Sequence, residues 1–250
     1  FEFYEKSRFY GVNLFLKIII DKILSIFFLI LASPFLLISI IAIYIEDGLP
    51  LLFTQNRTGW DGRRFKIYKL RSLKKSSFDR TMQVTKGDKR LLKIGKLIRR
   101  YSIDELPQFF NVLNGDMSIV GPRPHMVGED SILEKNVDKY RVRRFVKPGI
   151  TGLAQVNGRN LLSWEKRFNL DVKYVESLSF SLDIWIMLKT IYVILSRKGI
   201  SSRINKTMNV LGKNQNASKF GFCKISKTTY HNSINLLIYK KQSYRLKYSI

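Results

Sequence analysis

The chain has 250 residues, enough to bury a core of its own, and with 45% apolar and 13% aromatic residues wholesale disorder is excluded. Forty-four Lys+Arg against nineteen Asp+Glu leave a net charge of +25, which calls for an anionic partner: nucleic acid, anionic lipid or a phosphorylated substrate. One cysteine, Cys223, and two histidines, His125 and His231, exclude a disulfide scaffold and a Cys/His zinc site, and no glycine-rich phosphate-loop motif occurs.

Ile23 to Ile45 is an apolar run interrupted only by Ser25, Ser33, Pro34 and Ser39. As a helix it is roughly 35 Å long, enough for a bilayer core of about 30 Å. Length alone favours a single span. Two features favour a re-entrant hairpin instead. Pro34 removes a backbone hydrogen bond in mid-run, so a break is expected at Ser33-Pro34, with Ser33 supplying a partner for the freed backbone. Basic residues also flank both ends: Lys6, Arg8, Lys17 and Lys22 before, and Arg57, Arg63, Arg64, Lys66, Lys69, Arg71, Lys74 and Lys75 after. Both flanks then belong on the cytoplasmic side.

LLFTQ and RFKIYKL, separated by Gly59-Trp60-Asp61-Gly62, predict a β-hairpin turning at Asp61-Gly62. Residues 74–86 read as a loop. Leu91, Ile94, Leu97 and Ile98 recur at helical spacing opposite Lys89, Arg90, Lys93, Lys96, Arg99 and Arg100, predicting a basic amphipathic helix suited to a membrane surface. A second helix is expected over Glu105 to Leu113, ended by Asn114-Gly115. Val120-Gly-Pro-Arg-Pro and Lys147-Pro-Gly-Ile-Thr-Gly read as rigid turns. Helices are expected over 163–177 and 182–195. Residues 201–250 hold ten Lys/Arg and no Asp or Glu, and read as a basic tail.

Ser102-Ile-Asp-Glu105 admits two readings. S-x-x-E is a capping box, or Asp104 itself caps the helix with Pro107 in its first turn. Alternatively the adjacent carboxylates are a nucleophile, since a carboxylate can attack phosphorus, and a ligand for a hard cation such as Mg²⁺. Arg123 between two prolines, and Arg159 after the PGITG turn, are stiffly held cations suited to a diphosphate. Asp171 and Asp183 are further carboxylates on the predicted helices and read at least as well as surface or helix-end charges, while Trp164 and Trp185 read equally as interface anchors or core residues.

In order along the chain come the SP-containing apolar run, QNRTG (55–59), FKIYKLRS (65–72), SIDELPQFFNVLNGDMSIVGPRP (102–124), KPGITGLAQVNGRN (147–160) and LDVKYVESLSFSLDIWI (170–186). Together these resemble the bacterial sugar transferase family of monotopic polyprenyl-phosphate phosphoglycosyl transferases, from about Lys17 to Gly199. AQVNGRN looks closest to small members that use UDP-N-acetylated sugars; larger members carry extra N-terminal membrane helices, which a start at Phe1 leaves open. Leu153 stands where the family usually has Trp, KLRSL replaces KFRSM, and the stretch after Ser201 has no family counterpart.

The resemblance implies an α+β, mostly helical fold: a small β-hairpin element, amphipathic interfacial helices and a re-entrant helix hairpin broken at Ser33-Pro34. It implies the membrane hairpin over 17–47 and a catalytic domain over 48–200 on the cytoplasmic face of the bacterial inner membrane, which leaves an N-terminal extension over 1–16 and the basic tail over 201–250. Asp104 would attack the β-phosphate of a UDP-sugar, releasing UMP, and pass the sugar 1-phosphate to undecaprenyl phosphate. Glu105 would hold Mg²⁺. Lys69, Arg71, Arg99, Arg123 and Arg159 would line the phosphate or nucleotide site with Asp183 near it, Asp171 carrying less weight. Membrane lipids are expected partners and nucleic acid is not. UDP-glucose or UDP-galactose is the alternative donor, and an inactive basic membrane scaffold the remote one.

Overall fold

The computed structural model describes residues 2–75, 88–136, 140–158 and 162–196, with side chains from Leu14 onward except at 131, 132 and 134–136. The basic tail, Arg159 and most of the loop expected over 74–86 lie outside the described residues. Contacts divide the chain into one unit of Leu16–Lys213 and another of Phe1–Phe15 with Asn214–Ile250. Of the second, only the start of the first helix is described. The core and both sheets belong to the larger unit.

Helix α1 (Glu2–Asp47) carries Pro34 in its interior without interruption. The expected break at Ser33-Pro34 is therefore not a break in the helix. Proline leaves the carbonyl four residues earlier, that of Ile30, without its N–H partner, and the Ser33 hydroxyl donates to that oxygen at 2.8 Å. One side chain thus replaces the lost bond. Leu14–Asp47 is long and apolar enough to cross a membrane. Ile23, Phe27, Ile30, Leu31, Leu37 and Ile38 are exposed, an uncovered apolar surface that suits lipid better than water.

Both ends of this segment are fastened to the folded unit. At the start, Lys17 Nζ donates to Asp183 at 2.6 Å and the Ser118 hydroxyl donates to Asp21 at 2.6 Å. Leu24 and Phe28 pack on the main core. At the finish, Glu46 accepts from the backbone N–H groups of Lys93 (2.6 Å) and Ile94 (3.0 Å), and Asp47 pairs with Arg71. Ile43 packs there with Leu70, Leu92 and Ile98 in a second core.

Strands β1 (Leu52–Thr58) and β2 (Arg64–Leu70) form the predicted antiparallel hairpin, in register from Leu52 opposite Leu70 to Thr58 opposite Arg64. Its turn uses left-handed backbone at Asp61 (φ 53°) and Gly62 (φ 77°), the Asp-Gly signature of tight hairpins. Helix α2 (Lys93–Arg100) buries Gly95 and Ile98 and presents its cations outward, as its periodicity predicts. The helix expected from Glu105 starts later: a 3₁₀ turn (Ile103–Glu105) precedes α3 (Gln108–Leu113).

The glycine- and proline-rich turns prove to be a second sheet. Strands β3 (Ser118–Val120) and β4 (Gly149–Thr151) pair in parallel. The connection between them carries α4 (Val127–Asn136) and a 3₁₀ turn (Tyr140–Phe145). A Cβ on Gly149 would stand 2.0 Å from the Gly121 nitrogen, and one on Gly152 2.1 Å from the Gly121 oxygen. Only glycines let these two loops lie backbone against backbone. Helices α5 (Leu153–Val156), α6 (Trp164–Glu176) and α7 (Phe180–Ser196) complete the unit. Ser163 caps α6 by accepting from the Lys166 N–H at 3.3 Å. Ile67, Val112, Met117, Ile119, Val120, Leu153, Val156, Tyr174 and Ile186 form the main core. The architecture is mostly helical with two small sheets.

Candidate active site

Asp104 and Glu105 sit on the 3₁₀ turn between α2 and α3, launched by Ser102 in a left-handed conformation (φ 58°). Ser102 makes no side-chain cap, and the residue before α3, Pro107, makes none either. The capping explanation for this acidic pair therefore fails, and its charges need another purpose.

Lys69 lies on β2. The side chain of Asn111 on α3 fixes that strand beside the dyad, accepting from the Tyr68 N–H at 3.1 Å and donating to the Lys66 carbonyl at 2.7 Å. Asn111 is fully buried, and the motif NVLNGD holds it there. Lys69 Nζ then donates to Glu105 Oε1 at 2.8 Å. Arg123 approaches Glu105 from the β3–α4 loop, with Nη2 2.7 Å from Oε1 and Nη1 3.3 Å from Oε2. This is a forked, charge-assisted pair.

The two carboxylates thus acquire opposite characters. Burial pushes Asp104 up to about 6, the neighbouring Glu105 charge raising it further and Lys69 and Arg99 pulling it back. Arg123 and Lys69 hold Glu105 well below the ordinary carboxylate range despite its burial. Two neighbouring acids driven apart in this way signal two different chemical jobs. Arg99, on the last turn of α2, donates to the Ser72 hydroxyl at 3.2 Å.

The loop that carries Arg123 is braced from behind. Arg143 Nη2 donates to the Arg123 carbonyl at 2.7 Å, while its Nε donates to Asp171 at 2.7 Å in a fully buried pair. The Tyr140 hydroxyl donates to Asp130 at 2.5 Å and lies 2.9 Å from His125 Nδ1. Burial and the flanking arginines hold His125 well below its usual range, so it is neutral at physiological pH. Asp171, given less weight from sequence, is thus part of the scaffold of Arg123. Arg143 and Asn111 carried no signal of their own in the sequence.

The structure brings together Asp104, Glu105, Lys69, Arg99 and Arg123 out of the expected set. Two members lie elsewhere. Arg71 is fully buried and pairs with Asp47, its Nη2 also donating to the Asp47 carbonyl at 3.1 Å. It fastens the end of α1 and does not face the dyad. Asp183 accepts from Lys17 and, at 2.8 Å, from the Tyr174 hydroxyl, and so fastens the start of α1. Arg159 lies outside the described residues.

Among the described residues no group of three or more acidic, histidine or cysteine side chains converges on a metal position. The dyad suits Mg²⁺ in the way that ion is usually held, by one or two carboxylates, with water and substrate phosphates as the other ligands. Charge arithmetic agrees with a phosphate-rich guest: Lys69, Arg99 and Arg123 outnumber Asp104 and Glu105 by one before any metal is added.

Comparison with known proteins agrees with this geometry. A family model described as bacterial sugar transferase matches residues 12–197. A UDP-glucose:undecaprenyl-phosphate glucose-1-phosphate transferase of Klebsiella pneumoniae is 43% identical over 188 residues, covering 73% of this chain and 40% of that protein. The uncharacterized sugar transferase EpsL of Bacillus subtilis is 44% identical over 185 residues, covering 74% of this chain and 90% of its own length. A UDP-N-acetylgalactosamine-undecaprenyl-phosphate N-acetylgalactosaminephosphotransferase of Aeromonas hydrophila is 39% identical over 189 residues, 74% of this chain and 45% of that one. The chain therefore spans less than half of the Klebsiella and Aeromonas relatives and nearly all of EpsL. With the match running over residues 12–197, through every element of the dyad site, the chain belongs to the bacterial sugar transferase family.

Proposed function

We propose that this protein transfers a sugar 1-phosphate from a UDP-sugar to undecaprenyl phosphate through a covalent aspartyl intermediate. The observation that carries this reading is the split dyad. Asp104 is buried with no hydrogen-bonded partner among the described residues, while Glu105 is held by two cations. An acid without hydrogen bonds to quench it is the better nucleophile. An Asp104 oxygen attacks the β-phosphorus, the bridging P–O bond breaks, and UMP leaves with that electron pair. A phosphate oxygen of the lipid then attacks the same phosphorus and the Asp104–P bond breaks. Lys69, Arg99 and Arg123 offset charge as it shifts between oxygens, where most of the rate of phosphoryl transfer originates. Glu105 would hold Mg²⁺, which supplies further neutralisation of the diphosphate.

The donor sugar is read as N-acetylated, from AQVNGRN (154–160). Glucose is the second reading, favoured by the names of several relatives of similar identity. The catalytic unit is placed on the cytoplasmic face of the membrane, where nucleotide sugars are made. Fastening of Lys17, Asp21, Glu46 and Asp47 to one folded unit supports both ends of the apolar segment lying on that face.

A panel of UDP-sugars with undecaprenyl phosphate, read as UMP release, tests the reading. Wild type releases UMP with at least one sugar and Asp104→Asn with none. Mass spectrometry of protein quenched with donor alone finds a phosphosugar on Asp104. Turnover by Asp104→Asn, or an adduct on another residue, overturns the mechanism.

A further inference from the structure

Two short helices flank the dyad, and their uncovered faces differ. On α2, just before it, Leu97 and Tyr101 are exposed among Lys93, Lys96 and Arg100. Helix α3, just after it, carries no charged residue in QFFNVL. The backbone is already helical at Leu106 (φ −57°, ψ −35°), the residue that follows Glu105. Leu106, Phe110 and Leu113 therefore fall at helical spacing along one side of this segment. Phe110 is 50% exposed and the two leucines are half-buried. One exposed apolar side chain needs no explanation, but three in register that start beside a charged site mark a place for an apolar guest.

The neighbouring side chain shows where this stripe leads. Phe109 lies about 100° around the helix from Phe110. Its ring stacks on Phe28 of α1, with centroids 5.5 Å apart and planes at 29°. Helix α3 thus lies against α1 in the stretch where Phe27, Ile30 and Leu31 are exposed, the surface that suits lipid. It reaches from the dyad to that surface. Seven residues at 1.5 Å each give the stripe a length of about 10 Å. That is far too little for the roughly 800 Å² per partner of a stable protein interface, but enough for one hydrocarbon chain.

We propose that the stripe of Leu106, Phe110 and Leu113 seats the first isoprene units of the lipid acceptor. The inference rests on the transfer reading. The acceptor phosphate must reach the phosphorus held on Asp104 while its chain stays out of water. A chain laid across Leu106 and Phe110 meets both needs: its phosphate ends at the dyad and its tail joins the bilayer beside α1. The cationic face of α2 suits headgroups, and the uncharged face of α3 suits the chain.

The test separates the two half-reactions in the detergent-solubilised full chain. Phe110→Gln gives the wild-type burst of UMP from donor without lipid. Its KM for undecaprenyl phosphate rises about tenfold, the factor that covering half a phenyl ring supplies. Phe110→Leu keeps most of the affinity, and Leu113→Gln shows a smaller rise. Leu188→Gln, at an exposed position on α7, leaves that KM unchanged. An unchanged KM in Phe110→Gln overturns the proposal. A lost burst overturns it too, since it marks a residue that holds the dyad in place. An equal rise in Leu188→Gln marks general adhesion to micelles, and dissociation of a dimer by Phe110→Gln in sedimentation assigns the stripe to a second copy; either result overturns the proposal. If wild type gives no burst with any UDP-sugar, the transfer reading itself has failed and this inference falls with it.

Discussion

Replacing Asp104 by Asn should abolish turnover and make the protein harder to unfold. Asp104 is 8% exposed, and its carboxyl is raised from 3.8 to about 6 by burial first and by Glu105 second. Between those two pH values the folded chain keeps a proton that the unfolded chain has lost. Stability therefore falls as pH rises through that window and stays depressed above it. A window of roughly 2 pH units at about 1.36 kcal/mol each is a penalty of up to about 3 kcal/mol at pH 7.5. At pH 5 the folded form is still mostly protonated, and only about half the penalty has accrued. Asparagine has nearly the same shape and no charge, so it relieves the penalty. For a folded unit of this size about 3 kcal/mol corresponds to a rise in Tm of about 6–12 °C. The assay is thermal unfolding of wild type and Asp104→Asn in one detergent at pH 7.5 and pH 5. A variant that melts with wild type at pH 7.5, or a gap that does not shrink at pH 5, would refute the claim that this acid is held against its charged form.

Three further outcomes rest on the same geometry. Formation of the sugar-phosphoryl enzyme should rise with pH up to about 6 and level off above it, because the attacking acid must be ionised; rapid-quench measurement of UMP in the absence of lipid reads this, and a flat profile from pH 5 to pH 8 contradicts it. Asp171→Ala strips the partner from buried Arg143, which also braces the Arg123 carbonyl; it should cost about 3–5 kcal/mol in denaturant unfolding, with loss of UMP release, and a neutral effect would show that the brace is unnecessary. Gly95→Ala puts a Cβ 2.2 Å from the Ser72 carbonyl, so α2 must move away from the segment that follows β2; about 1–3 kcal/mol of destabilisation is expected, read as a fall in Tm.

Periodic segments were legible from the residues alone. The Asp-Gly hairpin, α2, α6 and α7 arise directly from alternation, helical spacing and an N-cap serine. The parallel pair β3–β4 was not legible, because each strand is three residues long and sits among the glycines and prolines that signal turns. Helix α4 was equally silent, since VGEDSILEKN shows no apolar stripe. Within the site, Lys69, Arg99, Arg123 and the dyad could be named from motif resemblance, which says nothing of where a side chain points. Arg71 illustrates the limit. It lies one residue past the end of β2, so the two-residue alternation that would place it beside Lys69 has already ended. Its guanidinium turns instead to Asp47. Asp183 is a similar case: the aspartate is where the motif expects it, but its partners include α1, more than 160 residues earlier in the chain.

The two-ended fastening of α1 has a consequence for engineering. Its apolar residues cover both cores from within, Leu24 and Phe28 at one end and Ile43 at the other. A foreign transmembrane segment spliced in its place would still bring the domain to a bilayer. It would also leave both cores open and strand Arg71 and Asp183 without counter-charges. The apolar helix is a structural part of the folded unit, so swapping it should disable the proposed transfer even in a chain that stays tethered.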